Sequence, residues 1–476
     1  MNYFIIFFII VNTFFTNIFC IVKNENKEKE ELLFVYEHCR HGNRAPNDKK
    51  NGLYNYKTNM DIYNIYWEKP GILTESGKLQ HFFLGLRNKY KYNNFINFSR
   101  YNKNELLLRS TGIKRCGESL YYQLLGMYYQ NNSNFNDNNN SKVEFNEEIF
   151  KYSMPPNIEK WSKKKEFSKL NKIIENFLKN GKIEGLDLNS FNYKKRRKFD
   201  TKIINKDFIF ITQKCKNHKK YVKKQRNKFN KIIKNNFIDK YAYKLKNFIN
   251  FTDENYFYKK GISKSLADHF ISDYLNGRKE LIKFSNETGI NLDDFYENCK
   301  NVYFFFMYNI NCYSKSCILS ASRIINETIS YFDNAISSSN INKKKGKSNN
   351  KQIKMIIDLG HDVTVNAIHI LMNKAFNANY TYCNFGCNIY FELYKIKSDN
   401  KYIIKYYNND SLILYIDYYT FKKKVMEMIW NDKDIDDFCN GDKENIFKIH
   451  EEQDITEHKK NKKKKNKNEK NYISEL

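Results

Sequence analysis

Three observations predict an α/β fold for this 476-residue chain, with a layered core in which a mixed sheet is flanked by helices. Short apolar runs alternate with stretches of helical periodicity. Three of these runs end at strand-to-helix junctions that carry Arg, His or Asp. A long helical stretch, bounded by low-complexity sequence, separates the first two junctions from the third. It predicts an inserted, mainly helical cap domain.

The elements follow in order. Met1 to Cys20 is an apolar leader, Phe4 to Val11 and then Phe14-Phe15, and reads as a secretory signal peptide cut near Cys20–Ile21. Leu32–Cys39 reads as a strand. Thr74 can cap a helix running to Tyr90, with Leu79, Phe82, Phe83 and Leu86 at helical spacing. Glu105–Arg109 is a short strand, and Gly112–Tyr129 a helix with Leu120, Leu124 and Tyr128 on one face. Asn131–Asn140 and Ser337–Lys351 bound the central region, where Ile233–Phe251 and Ser263–Phe284 carry helical periodicity. Lys354–Leu359 is a third strand, followed by a helix from Val363 to Asn373. Cys387–Ile396 and Tyr402–Tyr407 alternate as an antiparallel hairpin does. The expected organisation is a leader over 1–20, core over 25–135, a helical cap with Lys/Asn-rich insertions over 136–318, core again over 319–458, and a Lys-rich tail over 459–476.

Net charge is +29, which could suit nucleic acid, anionic membranes or acidic substrates. The lysines concentrate in Lys194–Lys198, Lys214–Lys234, Lys343–Lys351 and Lys459–Lys470, polar runs without the interleaved aromatics of a single-strand groove. They read as solvated insertions, and no nucleic-acid partner is expected. Once the leader is removed, no stable membrane span is expected, since the apolar run Val302 to Ile310 is too short.

The chemistry concentrates in Arg40-His41-Gly42-Asn43-Arg44-Ala45-Pro46, just after the first strand. Five fixed positions of such a run arise by chance in roughly 10⁻⁴ of chains this long. Two guanidiniums four positions apart suit an oxyanion such as phosphate, and the histidine between them can attack a bound phosphorus. Gly42 would let the backbone approach the ligand. No Cys/His or His/carboxylate cluster has metal-ligand spacing, so neither a metal nor another cofactor is expected.

This R-H-G-x-R-x-P run resembles the signature of the histidine acid phosphatases, the secreted branch of the histidine phosphatase superfamily. Leu106-Leu107-Leu108-Arg109-Ser110-Thr111 resembles a family strand, and Gly360-His361-Asp362 a late H-D motif. Leu73-Thr74-Glu75-Ser76-Gly77 and Phe391-Glu392-Leu393-Tyr394 add to the likeness. The resemblance implies that His41 is the nucleophile and forms a phosphohistidine. Arg40, Arg44, Arg109 and His361 would bind phosphate. Asp362 would protonate the leaving oxygen and then activate water. It also implies disulfides Cys312–Cys387 and Cys215–Cys439, while Cys39 and Cys116 read as small buried hydrophobes.

The implied activity is an acid phosphatase acting on small phosphate monoesters in a secreted, vacuolar or lysosome-like setting. A phytase-like inositol-polyphosphate phosphatase and a lysophosphatidate phosphatase share the run and differ in the cap. From another class, an inactive basic protein could bind anions or membranes through its lysines. Sequons such as Asn97 and Asn409 fit a glycoprotein. The oligomeric state is not legible in the sequence.

Overall fold

The computed structural model describes residues 30–47, 70–129, 168–180, 202–204, short pieces between 215 and 245, 262–278, 280–311, 319–341, 352–379 and 382–440. The leader, most of Ile233–Phe251, Cys312 and the Lys-rich tail lie outside the described residues.

Among the described residues the sheet has seven strands. β1 (Glu30–Arg40), β2 (Leu106–Thr111), β3 (Lys202–Ile204) and β4 (Met355–Gly360) run parallel, and β5 (Asn388–Ile396), β6 (Tyr402–Asn408) and β7 (Ser411–Asp417) are added antiparallel, in the order β3-β2-β4-β1-β5-β6-β7. β1 and β4 pair with Arg40 opposite Gly360, and β2 pairs with β4 with Ser110 opposite Leu359. Three parallel strands therefore end together, and the loops that leave them converge at the carboxyl edge.

Alternation along the strands divides the core. Phe34, Tyr36, Ile356, Phe391 and Leu393 face one layer, formed by α7 (Leu319–Ile341), α8 (Asp362–Phe376) and α9 (Tyr418–Met426). Val35, Cys39, Leu106, Leu108, Met355 and Ile357 face the other, with Leu120 and Leu124 of α2 (Lys114–Met127). α1 (Glu75–Tyr92), capped by Thr74, lies against α2 so closely that a Cβ on Gly85 would sit 1.9 Å from the Gln123 carbonyl oxygen. α3 (Ser168–Asn180) adds Leu170 to this side. A separate apolar core is built by α4 (Ile262–Leu275), α5 (Glu280–Thr288) and α6 (Leu292–Asn311), from Phe270, Phe284, Phe295 and Cys299.

Not foreseen in the sequence were β3, which joins the core sheet from within the segment expected as the helical cap, and β7, α9 and α10 (Asp432–Asn440). β7 follows β6 through a two-residue turn in which Asn409 and Asp410 both have positive φ, 44° and 66°, a conformation that these side chains tolerate. Ser337–Ser339, read as the start of a low-complexity boundary, continue α7. Their hydroxyls bond back into the helix, Ser337 to Asp333 O and Ser339 to Ile336 O.

Cys215 is joined to Cys439. Cys387, however, pairs with Cys383 and not with Cys312. The tight turn Cys383–Cys387 brings the two Cα atoms to 5.6 Å, within disulfide reach, so the nearer cysteine takes the position that the resemblance gave to a distant one. Cys39 and Cys116 are buried free thiols, as is Cys299.

Candidate active site

The loop after β1 turns directly onto the start of α1. A Cβ on Gly42 would lie 2.3 Å from the Gly77 carbonyl oxygen, so Gly42 is required by a helix that sits against it rather than by a ligand. Gly42 N donates to Ser119 Oγ of α2, Thr74 N donates to Asn43 O, and Ala45 N to Ile72 O. His81 Nε2 donates to the Arg40 carbonyl from below. Beneath β1, buried Glu37 accepts from Asn88, Asn388 and Gln123, and Arg87 is paired with Asp410. Burial raises the Glu37 carboxyl above its ordinary value. A fully bonded polar layer thus supports the motif.

His41 is 3 % exposed, and its Nδ1 lies 2.9 Å from its own chain's Gly42 carbonyl oxygen. A carbonyl only accepts, so Nδ1 carries the proton and Nε2 keeps its lone pair. Burial first, then Arg115, His361, Arg40 and Arg44, hold the imidazole well below its ordinary value of 6.5, so it is neutral in mild acid. His361 caps α8, 5.4 Å from His41 between ring centroids, and its Nε2 is 3.3 Å from Thr111 Oγ1. Burial and the same arginines lower it to about 3. Asp362, the first residue of α8, pairs with Arg40 at 2.9 Å and accepts from Val363 N. His41, Arg40, Arg44, His361 and Asp362, drawn from both ends of the chain, are therefore brought together.

Arg109 is not with them. It points from β2 onto the α7 face, where Nε and Nη2 bond both oxygens of Asp358, at 2.5 and 2.6 Å, and Nη1 bonds Glu327 of α7 at 2.6 Å. All three nitrogens are engaged, which corrects the expectation that Arg109 holds phosphate. The third guanidinium acting on His41 is Arg115, in the first turn of α2. Burial and Arg44 lower it to about 10, which leaves it protonated in acid. Its place six residues further on, past the strand end, is the signal that could have found it: ligands gather beyond the carboxyl ends of such strands, not within them.

The helical unit contributes a residue that sequence reasoning also missed. Asp268 of α4 pairs with Arg44 at 2.6 Å, and accepts from Tyr303 OH and Asn47 N. Burial alone would raise its carboxyl, yet Arg44 holds it well below its ordinary 3.8. Asn43 Nδ2 and Thr74 Oγ1 bond Leu275 O and Asn276 Oδ1, which docks the end of α4 on the loop.

The nitrogens that remain are informative. Nε of Arg40, Arg44 and Arg115 are all buried and without a hydrogen-bond partner. A buried N–H left unpaired costs about 1–3 kcal/mol, so three around one imidazole call for an acceptor-rich anion. Among the described residues, no group of three or more His, Cys, Asp or Glu is placed to hold a metal, and no helix is long and apolar enough to cross a membrane.

The chain also matches known proteins. The family described as the histidine phosphatase superfamily (branch 2) matches residues 31–409. A lysosomal acid phosphatase from Xenopus laevis is 34% identical over 101 residues, 21% of this chain and 22% of that protein, so the match spans about a fifth of the relative. Among solved structures, the Citrobacter braakii phytase shares 11% identity at a TM-score of 0.49, over 84% of this chain and 98% of that one. A Bifidobacterium longum multiple inositol polyphosphate phosphatase shares 12% at a TM-score of 0.37, over 83% and 90%. Likeness at that level carries no argument about substrate.

The two arginines should separate cleanly. Arg109→Met is expected to cost about 3–5 kcal/mol of stability by leaving Asp358 buried and unpaired, with affinity for inorganic phosphate unchanged. Arg115→Met should keep the fold and weaken phosphate binding by about tenfold or more, the loss of one charge-assisted hydrogen bond. Denaturant titration and calorimetry read the two effects. Asp268→Ala should cost about 3–5 kcal/mol at pH 5. Because the folded carboxyl is depressed below 3.8, its contribution is full above that value and fades as pH falls through the folded one. The stability gap between wild type and variant should therefore shrink from pH 5 towards pH 2.

Proposed function

Since the chain belongs to branch 2 of the histidine phosphatase superfamily, we propose that it is an acid phosphatase that hydrolyses phosphate monoesters through a phosphohistidine. The observation that carries this reading is the neutral His41, its Nε2 lone pair free to attack, under three arginines whose Nε–H groups are buried and unpaired.

The reaction would proceed in two displacements. The phosphoryl oxygens accept from Arg40, Arg44 and Arg115, and preorganised donors of this kind stabilise the charge that spreads over them in the transition state. His41 Nε2 attacks phosphorus, the P–O bond to the leaving group breaks, and Asp362 delivers its proton to the departing oxygen. In the unliganded site Asp362 is held by Arg40. A phosphate dianion arriving there takes over Arg40 and sets its own charge beside the carboxylate, so Asp362 is protonated as the leaving group departs. In the second step the Asp362 carboxylate takes a proton from water, the water oxygen attacks phosphorus, and the P–N bond breaks. Inorganic phosphate leaves and His41 returns to its neutral form. No step uses a cofactor. An acidic compartment of the secretory pathway suits this proton traffic.

His41→Ala should abolish turnover with the fold retained. Brief exposure to radiolabelled substrate followed by denaturation should trap an acid-labile phosphate on His41, and labelling that persisted in His41→Ala would remove the residue from its role. Asp362→Asn should slow alkyl phosphates far more than nitrophenyl phosphate, whose leaving group needs little protonation. Equal losses on both would exclude Asp362 as the acid. Activity on an alkyl phosphate should peak at roughly pH 4–6 and fall as rising pH strips the proton from the acid. A rate that climbed steadily to pH 9 would contradict the scheme.

A further inference from the structure

The five-residue loop closed by the Cys383–Cys387 disulfide makes a concentrated set of contacts with the motif after β1. Cys383 O accepts from Arg40 Nη1 at 2.6 Å, Cys387 O accepts from Arg40 N at 2.9 Å, and Gly386 N donates to His41 O at 3.1 Å. Gly386 takes φ +66°, the left-handed turn that brings its N–H round to His41. At the centre of the loop stands Phe385, 1 % exposed. Its ring centroid is 4.1 Å from the Arg40 guanidinium carbon and 5.1 Å from that of Arg44, and its ring is 5.6 Å from the His41 ring. The same side chain belongs to the apolar core of the helical unit, with Phe270, Phe295 and Tyr303.

We propose that Phe385 is a positioning residue that holds the two guanidiniums of the motif in phosphate-binding geometry and makes that geometry depend on the packing of the helical unit. The inference rests on the phosphatase reading above and assigns a determinant that the reading itself does not require.

The physical reason lies in how an aromatic ring stabilises a guanidinium. Two buried like charges need compensation, and a further carboxylate would supply it by occupying N–H donors that the phosphate needs. A ring face attracts the cation through its quadrupole, above the guanidinium plane, and leaves the in-plane N–H groups uncommitted. Arg40 and Arg44 show this division. Their outer nitrogens bond Asp362, Cys383 O and Asp268, Phe385 lies within cation–π distance of both, and both Nε–H groups stay unpaired. An apolar side chain without a ring would fill the space but supply no counter-field, and the two arginines would be free to turn.

The test uses the full-length protein and nitrophenyl phosphate. Phe385→Leu and Phe385→Met should each raise KM, and the inhibition constant of inorganic phosphate, by about tenfold, while Phe385→Tyr stays within about twofold of wild type. The ratio of alkyl to nitrophenyl turnover, which reports the proton from Asp362, should not move. Met fills the volume flexibly, so it keeps the experiment informative if Leu disturbs folding. A lower melting temperature with unchanged phosphate inhibition in the ring-free variants would reduce Phe385 to a packing residue and overturn the proposal. Equal impairment in Phe385→Tyr would do the same. If wild type neither turned over monoesters nor bound phosphate by calorimetry, the phosphatase reading itself would fail, a result distinct from both.

Discussion

Three buried guanidiniums within reach of one imidazole form the constraint on which the rest of the site depends. Burial first, and then each of the three, lowers the proton affinity of His41 and keeps its imidazole neutral in acid. Such a cluster persists only with compensating groups close by. Asp362 meets Arg40, Asp268 meets Arg44, and Phe385 lies against both, while the three Nε–H groups remain available. Breaking a buried pair of this kind costs several kcal/mol, because the partner is left charged and dry. The stability of the protein and the electrostatics of its site are therefore the same set of interactions.

The sheet makes this assembly possible. Parallel pairing of β1 with β4 and of β4 with β2 delivers His41, His361 and Arg115 to one edge, although more than 300 residues separate the first two. Below that edge, Asn88, Gln123 and Asn388 all donate to Glu37, and the Arg87–Asp410 pair lies alongside. This layer anchors β1 so that the loop after it cannot relax away from its charged neighbours. Arg109 belongs to the opposite face. With Asp358, Glu327 and the Tyr36 hydroxyl it ties β2, β4 and α7 together.

The helical unit contacts the loop after β1 directly. Asp268 of α4 and Asn276 just after it reach that loop, and Phe385 is shared between the core of the unit and the Arg40 and Arg44 guanidiniums. Neither contact is marked in the sequence of the central region alone.

Arg40, His41, Arg44 and the His361-Asp362 pair were singled out because each follows a short apolar strand and resembles a family motif, and the fold brings these side chains together. The elements of the core were legible as well, since their alternation and helical periodicity reflect burial on one face. Arg109 shows where that reasoning ends. Two arginines six residues apart are alike in sequence, and only the face of β2 onto which Arg109 points, where Asp358 and Glu327 wait, leaves Arg115 as the one that acts on His41. Asp268 and Phe385 carry no local mark, since their roles come from docking segments far away in the chain. Cysteine pairing was likewise not legible from the resemblance, since Cys383 pairs with Cys387. The sequence by itself determined the strands and helices that flank the candidate site, and the Arg-His and His-Asp pairs at their ends, because those depend on neighbouring residues. Tertiary structure decided which charges meet, because burial and pairing are properties of surfaces that exist only once the chain has folded.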